Sequence, residues 1–94
     1  MDREEIAKER EKELQDIRKL LSSSEGRRVL WRLLSFTGLY RSSFTGNSET
    51  FFLEGKRSVG LWLTQELTEA DDEKFFQMSR EAKSNKIKKR GEEK

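Results

Sequence analysis

The fold is decided by residues 22–67, SSSEGRRVLWRLLSFTGLYRSSFTGNSETFFLEGKRSVGLWLTQEL, because most of the large apolar side chains lie there. This stretch holds both tryptophans, the only tyrosine and four of the six phenylalanines. The flanking sequences are mostly charged, and charged residues make up 40% of the 94-residue chain. We therefore expect the core within residues 22–67, with charged segments on either side.

The composition excludes several classes of function. The chain has no histidine and no cysteine. It therefore lacks imidazole and thiolate metal ligands, disulfides and the usual general base, so we predict no metal, no cofactor, no catalytic residue and no enzymatic activity. It also has no run of about 18 apolar residues and no apolar signal-peptide stretch, which predicts a soluble, intracellular protein without a membrane partner.

Two helices are predicted in the first part of the chain. Residues 1–21 contain strong helix formers and no glycine or proline, which predicts a long charged helix from Asp2 to Leu21. Ser22 and Glu25 have the spacing of a capping box, so a second helix should run from about Ser23 to Phe36 and stop at Gly38. Its predicted apolar face consists of Val29, Leu30, Leu33, Leu34 and Phe36.

A third helix is predicted from Glu49 to Leu67, capped by Asn47 or Ser48. One third of its helical wheel is apolar, which predicts a core face there. Because a helical glycine costs about 1 kcal/mol against alanine, we expect a ring or another backbone to lie close to Gly55 and Gly60. A strand over residues 58–67, SVGLWLTQEL, is the competing interpretation. The predicted core face consists of Phe51, Phe52, Gly55, Val59, Trp62 and Leu63.

A fourth helix is predicted over residues 68–84, with Thr68 and Asp71 at capping spacing. Acidic residues at 69 and 71–73 suit a helix start better than a metal or acid–base site. Residues 85–94 should form a flexible basic tail. The predicted fold is all-α, with three to four helices and a helical hairpin at residues 22–67.

The basic and aromatic side chains of the hairpin are candidates for contact with a partner. Arginine forks suit acidic protein surfaces and phosphates, and nine aromatic residues exceed what a small helical core needs. The competing interpretation is that these arginines pair with Glu25, Glu49, Glu54 and Glu66. The predicted partner-binding residues are Arg27, Arg28, Trp31, Arg32, Tyr40, Arg41, Phe44 and Arg57.

The runs EGRRVLWRLLSFTGLYRSSFTGN and TFFLEGKRSVGLWL carry a family resemblance. A Gly-Arg pair begins a helix, an aromatic loop follows, and then comes a TxxxEGxRxxGLxL pattern. In this order and spacing, residues 22–67 resemble the small Bbp19-like phage proteins. The resemblance implies a virion or morphogenesis component without enzymatic activity. It rests on Gly26, Arg27, Tyr40, Phe44, Thr50, Glu54, Gly55, Arg57, Gly60, Leu61 and Leu63.

The function expected from residues and resemblance together is that of a non-catalytic phage structural protein. It would be present in many copies, bound to other virion proteins of the head, portal or tail or packaged internally, and located in the virion and, during assembly, in the host cytoplasm. Contact with packaged DNA is an added expectation. The alternatives are a small phage protein that inhibits a host enzyme complex and a nucleic-acid-binding module.

Overall fold

Three helices make up the computed structural model, which describes residues 2–39 and 49–92, with side chains as far as residue 86. They are α1 (Arg3–Leu21), α2 (Ser24–Phe36) and α3 (Glu49–Glu92). The described residues contain no strand, and residues 58–67 are helical. The all-α prediction and the long charged N-terminal helix are thus confirmed, and the strand interpretation is wrong.

The junction between α1 and α2 uses two adjacent serines differently. Ser22 still has helical backbone angles and closes α1, with its Oγ donating to the Lys19 carbonyl at 2.6 Å. Ser23 is extended and begins α2, and its Oγ accepts a hydrogen bond from the Gly26 amide at 3.0 Å. The predicted cap at Ser22 is therefore wrong by one residue, because an N-cap needs extended backbone angles.

The end of α2 follows the sequence prediction. Gly38 has a φ of 70°, the left-handed conformation that glycine adopts without steric cost. The helix closes at Thr37, whose Oγ1 donates to the Leu34 carbonyl at 2.5 Å. Gly38 is confirmed as the stop of α2.

The third and fourth predicted helices are a single run, α3, interrupted at Asp71. There the backbone is extended, with φ −166° and ψ 96°. Asp71 Oδ1 accepts from the Lys74 amide at 3.1 Å, so this side chain caps the second part of α3. The predicted cap at Thr68 is wrong, since Thr68 lies inside the helix and its Oγ1 donates to the Thr64 carbonyl.

The break in α3 frees a carbonyl that α1 satisfies. In an uninterrupted helix the Ala70 carbonyl would accept from the Lys74 amide. That amide binds Asp71 instead, and Arg18 Nε donates to the Ala70 carbonyl at 2.7 Å. The cap and the Arg18 contact therefore stabilise the break together.

Replacing Asp71 by alanine is expected to lower the free energy of unfolding by about 1 kcal/mol, the usual value of an N-cap. Alanine also favours an unbroken helix, which would take the Ala70 carbonyl away from Arg18. Urea unfolding followed by circular dichroism measures the change. The control is Asp72→Ala, at an exposed neighbour, which should change stability much less. Equal losses in the two variants would contradict the capping role of Asp71.

At its far end α3 continues to Glu92, beyond the predicted end at residue 84. Side chains after residue 86 lie outside the described residues, so a flexible tail stays a prediction.

The core lies where α1 and α2 pack on the middle of α3. Arg27 of α2 contacts Glu81, and Phe36 contacts Lys56, so α2 runs antiparallel to α3. Ile17, Trp31 and Leu39 pack against the core from its edge. The buried apolar cluster consists of Leu21, Leu30, Leu34, Leu63, Leu67, Phe75 and Met78.

Candidate partner-binding surface

Large apolar side chains on α2 and α3 remain exposed beside the core. The exposed side chains of α2 and those of α3 meet at Lys56. Its Nζ lies 4.2 Å from the centroid of the Phe36 ring and 5.7 Å from that of Phe52. Beside these cation–π contacts, Phe36 remains 71% exposed and Phe52 65% exposed. We call this region the apolar surface: Val29, Leu33, Phe36, Phe51, Phe52, Val59 and Trp62.

The apolar surface corrects the predicted core faces of both helices. On α3 only Leu63 of the predicted face is buried, while the rings at positions 51, 52 and 62 are exposed. The face that packs is turned by roughly a quarter of the helical wheel and includes Gly60, Leu63 and Leu67. On α2 only Leu30 and Leu34 of the predicted face are buried.

Of the two close approaches predicted, at Gly55 and at Gly60, only the one at Gly60 occurs. A β-carbon at Gly55 would meet nothing within 4 Å. At Gly60 it would lie 3.0 Å from the Thr37 β-carbon and 3.1 Å from the Leu39 β-carbon, and it would overlap Thr37 Oγ1. Gly60 therefore lets the end of α2 lie directly against α3.

Arg27, a predicted partner-binding residue, is buried. It is only 7% exposed, and its Nη1 donates to the Leu21 carbonyl at 2.8 Å. Its Nε and Nη2 donate to the two carboxylate oxygens of Glu81 at 2.7 and 3.2 Å. These hydrogen bonds hold the pKa of Glu81 below its usual value and raise the pKa of Arg27. Arg27 thus joins all three helices and is unavailable to a partner.

The remaining predicted contact residues fall into three groups. Arg28 and Arg32 are exposed on α2, and Arg28 lies 3.7 Å from Glu25. Arg57 is half-buried on α3, and Trp31 is half-buried against the core. Arg28 and Arg32 are therefore exposed beside exposed apolar side chains, and their contact with a partner stays a prediction. Tyr40, Arg41 and Phe44 lie outside the described residues.

Three long-range ion pairs are not predicted by the sequence. Besides Arg27 and Glu81, Arg10 of α1 binds Glu66 and Glu69 of α3. The Arg10 hydrogen bond lowers the pKa of Glu66. The partners lie 56 and 59 residues apart in the chain, so no local spacing reveals them.

Two of the acidic residues near the break have structural roles. Glu69 pairs with Arg10, and Asp71 caps the second part of α3. Within the part of the chain that the structure describes, no group of three or more acidic residues is placed to hold a metal ion. None of the described helices is both long and apolar enough to cross a membrane.

A family model described as Bbp19-like phage protein matches residues 17–80, more than half of the chain. The chain belongs to this family. The resemblance expected from the sequence is thereby confirmed. No curated protein and no solved structure matches the chain.

Several residues that carry the resemblance have structural roles in this Bbp19-like phage protein. Gly26 lies against the backbone of Leu20, Arg27 joins the helices, and Gly60 admits Thr37. The Gly-Arg pair is therefore explained by packing at the α1–α2 junction. The exposed residues of the candidate partner-binding surface are those of the apolar surface together with Arg28 and Arg32.

Proposed function

We propose that this Bbp19-like phage protein is a non-catalytic component of the virion or of its morphogenesis. It binds other phage proteins of the head, portal or tail, or is packaged inside the particle. The family supports the association with phages. A role in binding is supported by the apolar surface, because monomeric proteins rarely leave so many large apolar side chains together in water.

The apolar surface has the composition of a protein-binding site. Phenylalanine, tryptophan and arginine are enriched at protein interfaces, and rings of this kind often carry most of the binding energy. Exposed Arg28 and Arg32 lie on the same helix as Val29, Leu33 and Phe36. Guanidinium groups there would pair with carboxylates at the rim of a partner.

A role in binding also agrees with the chemistry of the side chains. The chain contains neither histidine nor cysteine. Arg10, Arg27, Glu66 and Glu81 have shifted pKa values, and all four are engaged in ion pairs that hold helices together. Their pKa shifts are accounted for by structural ion pairs, so they do not indicate acid–base chemistry.

Mass spectrometry of purified particles tests the proposal. We expect the protein at a fixed number of copies per particle, whereas its absence from particles would overturn the virion role. In phage carrying Arg28→Glu together with Arg32→Glu, the copy number should fall because the rim charge is reversed. The matched control is Lys12→Glu, an exposed residue of α1, which should leave the copy number unchanged.

A further inference from the structure

The exposed aromatic rings of the apolar surface leave an area close to that of a protein interface. Phe36 is 71% exposed, Phe51 82%, Phe52 65% and Trp62 58%. At about 150–250 Å² for each aromatic side chain, these four alone expose roughly 400–700 Å². Val29, Leu33 and Val59 add to this area. A standard protein interface buries about 800 Å² on each partner.

Among the residues that the structure describes, the apolar surface stays exposed, and the molecule is far from spherical. The radius of gyration is 16.4 Å, whereas a compact domain of this length has about 12 Å. The principal extents are 56, 37 and 16 Å, so the molecule is elongated and thin. A helix with apolar residues on two faces is stable when both faces are buried, and α3 buries one.

The charges around the apolar surface are nearly balanced. Apart from buried Arg27, residues 24–36 and 49–62 carry four basic and three acidic side chains. A strongly acidic partner or a nucleic acid would suit a surface of large positive charge. A nearly neutral surface can instead meet its own copy without repulsion, and in a twofold dimer each patch faces the same patch. The seven charged residues are Glu25, Arg28, Arg32, Glu49, Glu54, Lys56 and Arg57.

We propose that the apolar surface is the interface between two copies of this chain. The α2–α3 hairpin of one copy packs on that of the other, as in a four-helix bundle. The rings at positions 36, 52 and 62 lie in the interior, and Arg28 and Arg32 stay at its rim. The dimer rests on the proposed function and occupies the apolar surface itself, so that other virion proteins contact the rim residues Arg28 and Arg32. Its test is separate, since a chain absent from particles can still dimerise.

Sedimentation equilibrium of the purified full-length chain, from about 1 to about 200 µM, tests this interface. We expect a reversible equilibrium between one and two copies. Phe52→Glu and Trp62→Glu, each at an exposed ring, should weaken self-association by about tenfold or more, because each buries an unpaired charge. Circular dichroism should show unchanged helix content, because neither side chain belongs to the core.

The matched control is Ile6→Glu, which adds the same charge at an exposed apolar side chain of α1, outside the apolar surface. It should leave the association constant unchanged. A chain that stays monomeric throughout this range overturns the proposal, as does equal weakening by Ile6→Glu. If the chain is monomeric while Trp62→Glu lowers its copy number in particles, the surface belongs to a different virion protein.

Tryptophan fluorescence is a second measurement of the proposed interface. Trp31 packs against the core, whereas Trp62 lies on the apolar surface. In a Trp31→Phe variant the fluorescence therefore reports Trp62 alone. Its emission should shift to shorter wavelength as the concentration rises, and an emission spectrum independent of concentration would contradict the interface.

Discussion

Replacing Gly26 by alanine is expected to destabilise the protein by about 3 kcal/mol, the upper part of the range for forcing extra atoms into a packed site. A β-carbon at this position would overlap the carbonyl oxygen of Leu20 and lie 2.8 Å from its carbonyl carbon. Both atoms belong to the backbone of α1, so they cannot rotate away as a flexible side chain would. The last turn of α1 would have to move, and Leu21 beside it is fully buried.

Helix propensity alone predicts that Gly26→Ala would stabilise the protein. Alanine is favoured over glycine by about 1 kcal/mol in a helix interior, and Gly26 lies in the first turn of α2. The steric conflict with Leu20 outweighs that gain. Urea unfolding of the wild type and of Gly26→Ala measures the difference in their free energy of unfolding. Both are monitored by circular dichroism at one protein concentration.

Gly55→Ala is the matched control, because it makes the same chemical change in a helix with open space around it. We expect this variant to be more stable by about 0.5–1 kcal/mol. Destabilisation by Gly26→Ala together with stabilisation by Gly55→Ala would establish the close approach at Gly26. Destabilisation by both, or stabilisation by both, would contradict it.

Local signals in the sequence predict the helices well, but they place some caps on the wrong residue. The end of α2 is predicted from the glycine at position 38. The extent of α1 is predicted from an uninterrupted run of helix formers. The caps were predicted at Ser22 and Thr68 and lie at Ser23 and Asp71. Several nearby side chains can cap a helix, and the backbone angles, which sequence spacing does not fix, decide which one does.

The side of α3 that packs could not be predicted from its own sequence. The helix has two apolar faces, one with Phe52 and Trp62 and the other with Leu63 and Leu67. The larger rings favour the first face on a helical wheel, yet the leucines pack. The face that packs includes the close contact between Gly60 and Thr37, which joins residues distant in the chain. The helical wheel therefore assigns to the core the rings that the structure leaves exposed on the apolar surface.

Replacing Arg27 by methionine is expected to lower the free energy of unfolding by about 2 kcal/mol, the value of a charged hydrogen bond in a buried setting. The change removes every donor to Glu81 and to the Leu21 carbonyl that Arg27 supplies. The carboxylate of Glu81 is half-exposed, so water compensates part of its loss. The carbonyl of fully buried Leu21 has less access to water and carries more of the cost.

The effect of Arg27→Met should depend on pH in a defined direction. Arg27 holds the pKa of Glu81 below its ordinary value of 4.5, so the pair stabilises the fold above about pH 4.5 and this contribution disappears as the pH falls through the lowered pKa. The difference between wild type and variant, measured by urea unfolding, should therefore be larger at pH 7 than at pH 3. Arg28→Met is the control, since exposed Arg28 lies 3.7 Å from exposed Glu25, and it should change stability little at either pH. If Arg28→Met were as harmful as Arg27→Met, or if the Arg27 effect were the same at both pH values, the Arg27–Glu81 ion pair would not be what stabilises the packing of α2 on α3.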